Sequence, residues 1–386
     1  MSEIKVNSIK GVGASTAAIT VNNTDGTCTA NVTSIGGSQL SNRNLIINGA
    51  MQVAQRGTST ANIGTTLQYG VDRFHVHNII GTAVQTATQE NDAPEGFYKS
   101  LKVTCTTADT DYSTNNQSKI EYRIEGTDIQ RLNFGTANAK TLAVSFYIKS
   151  NKTGNSAIGL LNNANNRSFV HQFNIASANT WQKVSFTVAG DTTGSWPVGS
   201  DNIGIRIRWG TFGTDFQTST LDAWQAGQKM ATSNSPINFN AATNDYLQIT
   251  GVQLEVGSVA TDFEHRSIAQ ELLLCQRYYY RTTPLNLGFF GVGNVDGSNQ
   301  SQILITFPTE MRSKPTSVET SGTAAQYALR VSTNATCSSV PAIGNTTTVN
   351  AICEFNSTSH GFTSGQAAFG RSLSDAAFLG FAGAEL

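Results

Sequence analysis

From residue 44 onward the chain is a succession of short apolar runs, most of them alternating with period two. They are Leu45-Ile46-Ile47, Arg73-Phe74-His75-Val76, Ser100-Leu101-Lys102-Val103, Ile120-Glu121-Tyr122-Arg123-Ile124, Leu142 to Ile148, Val184 to Val188, Ile203 to Trp209 and Tyr246 to Ile249. Each has the length of a strand, and Asn162-Asn163, Asn165-Asn166 and Asp191-Thr192-Thr193-Gly194 punctuate them as turns do. Eight or more such strands in about 220 residues predict a β-sandwich of jelly-roll type. In Ile203 to Trp209 the two faces separate cleanly: Ile203, Ile205 and Ile207 share one, Arg206 and Arg208 the other. One face belongs to a core, and the other is wet or lies at an interface.

The period changes once. Ser267 and Gln270 form a capping-box pair ahead of IAQELLLCQRYYYR, which predicts a helix from Ser267 to about Tyr280. Its stripe is Ile268, Leu272, Cys275 and Tyr279, so something must cover it. Beyond Pro284 strand runs return: Leu285 to Val292, Ser301 to Phe307, Tyr327 to Val331, Val349 to Phe355 and Ala376 to Phe381. Residues 1–43 alternate weakly and hold no aromatic, so they cannot build a core alone. The expected fold is all-β: an extended N-terminal arm (1–43), a jelly-roll sandwich (44–266), a linking helix (267–283) and a smaller C-terminal β domain (284–386).

Composition narrows the function. Charged residues are 13% and the net charge is -1, so no broad basic surface exists for nucleic acid or an anionic membrane. No run of ~18 apolar residues offers a membrane span, and MSEIKVNSIK lacks the apolar stretch of a signal peptide. The five cysteines stand singly, without a CxxC pair, and read as reduced, mostly buried thiols.

Catalytic and metal chemistry find little support. Of the five histidines only His75 and His77 are close, on one face of a strand, and two ligands are too few for zinc. No GxSxG, P-loop or HExxH occurs, and Gly291 to Gly297 lacks the third glycine of a dinucleotide loop. The carboxylate pairs Asp109 with Asp111, Asp191 with Asp201, and Glu255 with Glu264 lie outside any glycosidase motif. In turn-like sequence such aspartates bond their own backbone; calcium at Asp109, Asp111, Asp191 and Asp201 lacks an EF-hand spacing. No cofactor, no metal and no catalysis are expected.

Two separated segments resemble a known family. Asn44 to Arg73, NLIINGAMQVAQRGTSTANIGTTLQYGVDR, and Ile249 to Tyr280, ITGVQLEVGSVATDFEHRSIAQELLLCQRYYY, resemble the opening and closing of a carbohydrate-binding-module-like sandwich in phage tail-fibre and virion appendage proteins. FPTEMRSKPT at Phe307 to Thr316 is similar to the family segment that follows the helix, and IKVNSI to the start of its arms. The resemblance implies a virion protein made in a host cytoplasm and a homotrimer. It implies an arm that meets other virion proteins and noncovalent attachment to bacterial surface glycan. The alternative is a decoration or adaptor protein of the virion that binds no sugar. A third class, a glycan hydrolase, would need a groove with two close carboxylates.

Sugar binding asks for flat aromatic faces beside polar side chains. Trp196, in Gly194-Ser195-Trp196-Pro197, with Trp209 or Trp224 is the expected platform, and Tyr112 and Arg206 are supporting candidates; burial in a core or subunit interface is the competing reading. Trp181 opens a strand and reads as core. Asp72-Arg73 and Arg56 match the family's DR and QRG motifs and read as architectural.

Overall fold

The computed structural model describes residues 42–386 except 80, 113, 298, 359 and 360, and before them residues 8–9, 19–21, 24 and 28–30. Most of the expected arm therefore lies outside the described residues. Its described strands, Ser8–Ile9, Ile19–Val21 and Cys28–Ala30, form a three-stranded antiparallel sheet.

Two antiparallel sheets make the sandwich. One has seven strands: β1 (Gln68–Val71), β2 (Phe74–Ile79), β3 (Gln117–Glu125), β4 (Gly154–Asn162), β5 (Arg167–Ile175), β6 (Ile203–Phe212) and β7 (Trp224–Ala226), in the spatial order β7-β5-β4-β6-β3-β2-β1. The other has six, ordered Gln182–Val188, Leu142–Ser150, Tyr246–Val256, Ser100–Thr107, Val84–Glu90, Ser59–Ile63. Strands adjacent in space are often distant in sequence, as in a jelly roll. The alternation read from the sequence decides which way each strand faces. Ile205, Ile207 and Trp209 of β6 lie beside Ile120, Tyr122 and Ile124 of β3 and meet Val144, Phe146 and Ile148 of the opposite sheet. Phe146 touches Trp209 edge-on across the sandwich, with ring centroids 5.7 Å apart. Each fully buried large side chain of this kind stabilises the fold by about 1.5–3 kcal/mol.

Leu45-Ile46-Ile47 is not the expected strand. Asn44 takes over the ladder bonds: its Oδ1 accepts from Ile46 N (2.9 Å) and Leu254 N (3.1 Å), and its Nδ2 donates to Val252 O (3.1 Å). The segment is pinned and buried without joining a sheet.

Helix α1 spans Ile268–Gln276, with the Ser267 hydroxyl accepting from Gln270 N at 3.3 Å. It stops short of Tyr280, which already belongs to the strand Tyr280–Thr282. Two tyrosines are drawn away from the helix line: Tyr278 Oη donates to Glu125 (2.7 Å) and Tyr279 Oη to Glu319 (2.8 Å). Only part of the predicted stripe is covered, since Cys275 and Tyr279 are buried while Ile268 stays exposed. Cys275 and Tyr278 pack with Ile47 and Val53.

A second core, including Ile303, Tyr327, Phe355, Leu379 and Phe381, lies between a three-stranded sheet and a seven-stranded sheet of the C-terminal half. Arg56 ties the halves together. Its fork reaches both Glu385 oxygens (2.7 and 2.8 Å), and its guanidinium lies 3.5 Å from the Tyr279 ring centre. Cys105, Cys275, Cys337 and Cys353 are buried free thiols. Among the described residues no helix is long and apolar enough to cross a membrane.

Candidate functional site

The face of the seven-stranded sheet turned away from the core carries a cluster of charged side chains, several of them buried. Alternation puts Lys119, Glu121 and Arg123 of β3 and Arg206 and Arg208 of β6 on it. Register then aligns them: Arg208 stands opposite Glu121, Arg206 opposite Arg123, and Gly210 opposite Lys119. On the next strand His75 stands opposite Glu121 and His77 opposite Lys119. One row thus runs Gly159, Arg208, Glu121, His75, Tyr69 across five strands.

Glu121 is the hub. Its Oε2 lies 2.6 Å from Arg208 Nε and 3.5 Å from Lys119 Nζ; its Oε1 lies 3.0 Å from Arg206 Nη1 and also takes Arg123 Nε. Four cationic side chains therefore surround one carboxylate, which is only 1% exposed. Burial pushes the Glu121 carboxyl up, but Arg208, Lys119 and Arg123 override it and hold it well below the usual carboxylate range. Burial, with Arg208 beside it, brings the Lys119 ammonium down to about 7. Burial also keeps His75 neutral, with Arg123 adding to the effect.

Side-chain amides complete the array from the β4–β5 turn. Asn163 Oδ1 accepts from Arg206 Nη2 (3.3 Å), and Asn165 Oδ1 from Arg208 Nη2 (3.1 Å). The chain covers part of this face itself. Residues near Met230 cross directly over β4, where Gly159 makes room: a Cβ there would stand 2.8 Å from Met230 Cα. Met230 joins Leu161, Phe212 and Ala231 in a small apolar cluster and brings its Sδ to 2.9 Å from Arg208 Nη1. On the other flank an oxygen of Leu386 accepts from Arg123 Nη1. Arg206, Arg123, Asn163, Asn165 and His77 retain solvent contact.

This face can bind, orient and neutralise. Among the described residues no group of three or more His, Cys, Asp or Glu could hold a metal ion. Four of the carboxylates weighed for hydrolysis or calcium are engaged by neighbouring groups, while Asp201 is exposed. Asp109 accepts from Asp111 N and Thr82 N, Asp191 is forked by Arg167, Glu255 takes Thr261, and Glu264 takes Asn44 N. A recess of about 400 Å³ lies on another side, between Asn44, Arg131 and Arg266. Its arginines already serve backbone: Arg131 donates to Asn42 O and Arg43 O, and Arg266 to Ile46 O and Asn44 O.

The structure corrects the expected aromatic platform. Trp209 is 1% exposed and lies in the core against Phe146, so it offers no face to a ligand. Trp196 and Trp224 do come together, with ring centroids 5.3 Å apart, but they do so around Phe134 as packing residues. Trp196 is 8% exposed and its Nε1 donates to Asp191 Oδ2 (3.2 Å); half-buried Trp224 donates to Ala189 O (2.7 Å). Tyr112 belongs to a different neighbourhood, where its hydroxyl accepts from Asn240 Nδ2 at 2.8 Å, and burial pushes its pKa up to about 12. Of the five candidates only Arg206 stands on the charged face. Trp181, expected in the core, is half-buried instead, donating to Asp92 Oδ1 (3.2 Å). Sequence reading missed Glu121, Arg123 and Lys119 as site residues, though the alternation in SKIEYRIE marks them.

No family model matches the chain, and no curated protein matches it. Similar solved structures include the enzymatically active domain of tailspike protein 4 from bacteriophage CBA120, at 13% identity and a TM-score of 0.31 over 55% of this chain and 21% of that one. A CBM4 structure has 14% identity and a TM-score of 0.28 over 54% of this chain and 97% of its own. The family 11 carbohydrate-binding module from Clostridium thermocellum, in complex with a mixed-linked tetrasaccharide, has 10% identity and a TM-score of 0.26, covering 53% and 99%. The match thus spans about a fifth of the tailspike chain.

Proposed function

We propose that this protein is a non-catalytic, tail-fibre-like component of a phage particle that attaches to a glycan of the bacterial surface. One observation carries the reading: between two covering segments, the outer sheet face of a β-sandwich presents the part-exposed guanidiniums of Arg206 and Arg123 and the amides of Asn163 and Asn165, the arginines held by the buried Glu121 carboxylate. Sugar hydroxyls and ring substituents are bound by convergent polar groups of this kind, and pre-positioned donors lose little freedom when they engage. The phage assignment is supported by the opening and closing segments described above. In this reading three copies assemble, the N-terminal residues fix them to other virion proteins, and many weak sites on one particle multiply the attachment.

Binding of the purified full-length chain to intact host cells, before and after periodate oxidation of their sugars, tests it. Loss of binding after oxidation is the expected result; undiminished binding rejects a glycan receptor.

A second reading, an adaptor that binds another virion protein and no sugar, has its own observation. Phe289, Val292, Leu304 and Phe369 lie exposed on neighbouring strands of the large C-terminal sheet, with Val292 paired to both Leu304 and Phe369. Exposed apolar groups gathered this closely mark protein contacts.

A further inference from the structure

We infer that the outer face of the seven-stranded sheet takes an acidic glycan, its carboxylate or phosphate seated against Arg206 and Arg123 between the Met230 crossing and Leu386. This rests on the glycan reading of the same face and adds the class of ligand.

Lys119, Arg123, Arg206 and Arg208 converge on Glu121, and its two oxygens already accept from all three arginines. A carboxylate with both oxygens occupied cannot satisfy the remaining donors. Asn163, Asn165, Gln117 and Met230 accept hydrogen bonds without cancelling charge, and a Leu386 oxygen accepts from Arg123. Three arginines, always charged, thus face one buried carboxylate, and buried like charges repel.

A second observation points the same way. Arg206 Nε and His75 Nδ1 are buried and have no hydrogen-bond partner among the described residues. His75 is 1% exposed and shares the row of Glu121. Arg206 Nε is a donor beside surplus cations, and an acceptor reaching this face would satisfy it. The planar fork of arginine matches carboxylate and phosphate oxygens in two parallel bonds, a fit that a sugar hydroxyl lacks.

The recess of about 280 Å³ beside Tyr69 holds Arg56 with Glu319 and Glu385, so its charges are already paired. The 400 Å³ recess is bounded by arginines spent on backbone. Neither recess therefore offers the surplus positive charge of the sheet face.

The test varies the ligand and leaves the protein intact. Saturation-transfer NMR and calorimetry on the full-length chain compare galacturonate with galactose, glucuronate with glucose, N-acetylneuraminate with its methyl ester, and glucose 6-phosphate with glucose. The expected result is that at least one acidic sugar binds ten-fold or more tightly than its neutral counterpart. That preference should fall in 0.5 M salt and in Arg206→Lys, which keeps the charge and loses the fork. The carboxylate and phosphate members identify which anion is preferred. Equal binding of neutral and acidic members overturns the acidic class and leaves the glycan reading standing. Absence of binding by every sugar at 20 mM overturns both. An acidic preference that Arg206→Lys and Arg123→Lys leave unchanged overturns the placement on this face.

Discussion

Replacing Glu121 by glutamine removes one negative charge and almost no volume, so its effect isolates the electrostatics of the charged face. Glu121 is held at 2.6 Å from Arg208 and 3.0 Å from Arg206, with Arg123 and Lys119 as further partners. Glutamine still accepts one bond through its oxygen but turns an amide N–H₂ toward a guanidinium. Removing one member of a buried ion pair costs about 3–5 kcal/mol, because the partner charge remains buried without compensation. The multiple partners place Glu121→Gln in that range. All four tryptophans lie between residues 181 and 224, so tryptophan emission follows the sandwich and is silent to the C-terminal half. In urea, with a slope of about 2–3 kcal/mol per molar, the fluorescence midpoint should fall by about 1–2.5 M. Asp222→Asn is the control: Asp222 is exposed and pairs with His171 at 2.6 Å, and its loss should cost no more than about 1 kcal/mol. Sulfate should restore part of the stability of Glu121→Gln by supplying the missing anion. A loss below about 1 kcal/mol, equal to the control, would refute the account of a buried carboxylate restraining surplus cations.

The other predictions concern pH, packing and the link between the two halves. Lys119 has a folded pKa of about 7 against an ordinary 10.5, so the unfolded chain binds more protons between those values and stability rises with pH across that window. Compared with Lys119→Met, the wild-type chain should gain stability from pH 7 to 9 in urea titrations; a parallel pair of curves contradicts the depressed pKa. Trp209→Ala should cost about 3–5 kcal/mol, as deletion of a buried aromatic does, measured by the midpoint in urea; a near-neutral effect would mean that Trp209 is not core. Gly210→Ala should also destabilise strongly, because its φ of 144° disfavours a side chain and the new Cβ would stand 2.0 Å from Ser118 O. Arg56→Ala removes the fork to Glu385 and the stack on Tyr279, and calorimetry should show the transitions of the two halves moving apart; a single unchanged transition contradicts that role.

The sequence reading went furthest where local pattern and tertiary demand coincide. Ile203 to Trp209 announced one core face and one wet or interfacial face, and β6 has them, with Ile205 and Ile207 inside and Arg206 on the charged side; Ile203, expected inside, is only half-buried because a bulge separates it from Ile205. β4 escaped notice because GNSAIGLLN mixes Gly, Asn and Ser into a central strand, where Gly159 is needed under the Met230 crossing. The tryptophans misled for a related reason. Gly-Ser-Trp-Pro looks like an exposed loop, yet the indole of Trp196 folds back onto Phe134 and Trp224, contacts that no local pattern encodes. The charged hub was out of reach as well, since Glu121 meets Arg206 and Arg208 from 85 and 87 positions away. Its residues were visible singly, but only strand register brings them together.

The most direct measurement is binding of the full-length chain to an array of bacterial polysaccharides and oligosaccharides, with Arg206→Lys alongside as a folded comparison. A restricted set of bound glycans, enriched in acidic residues, is the expected result, with signals that weaken in the variant. Signal no higher than background on every glycan would contradict glycan attachment as the function.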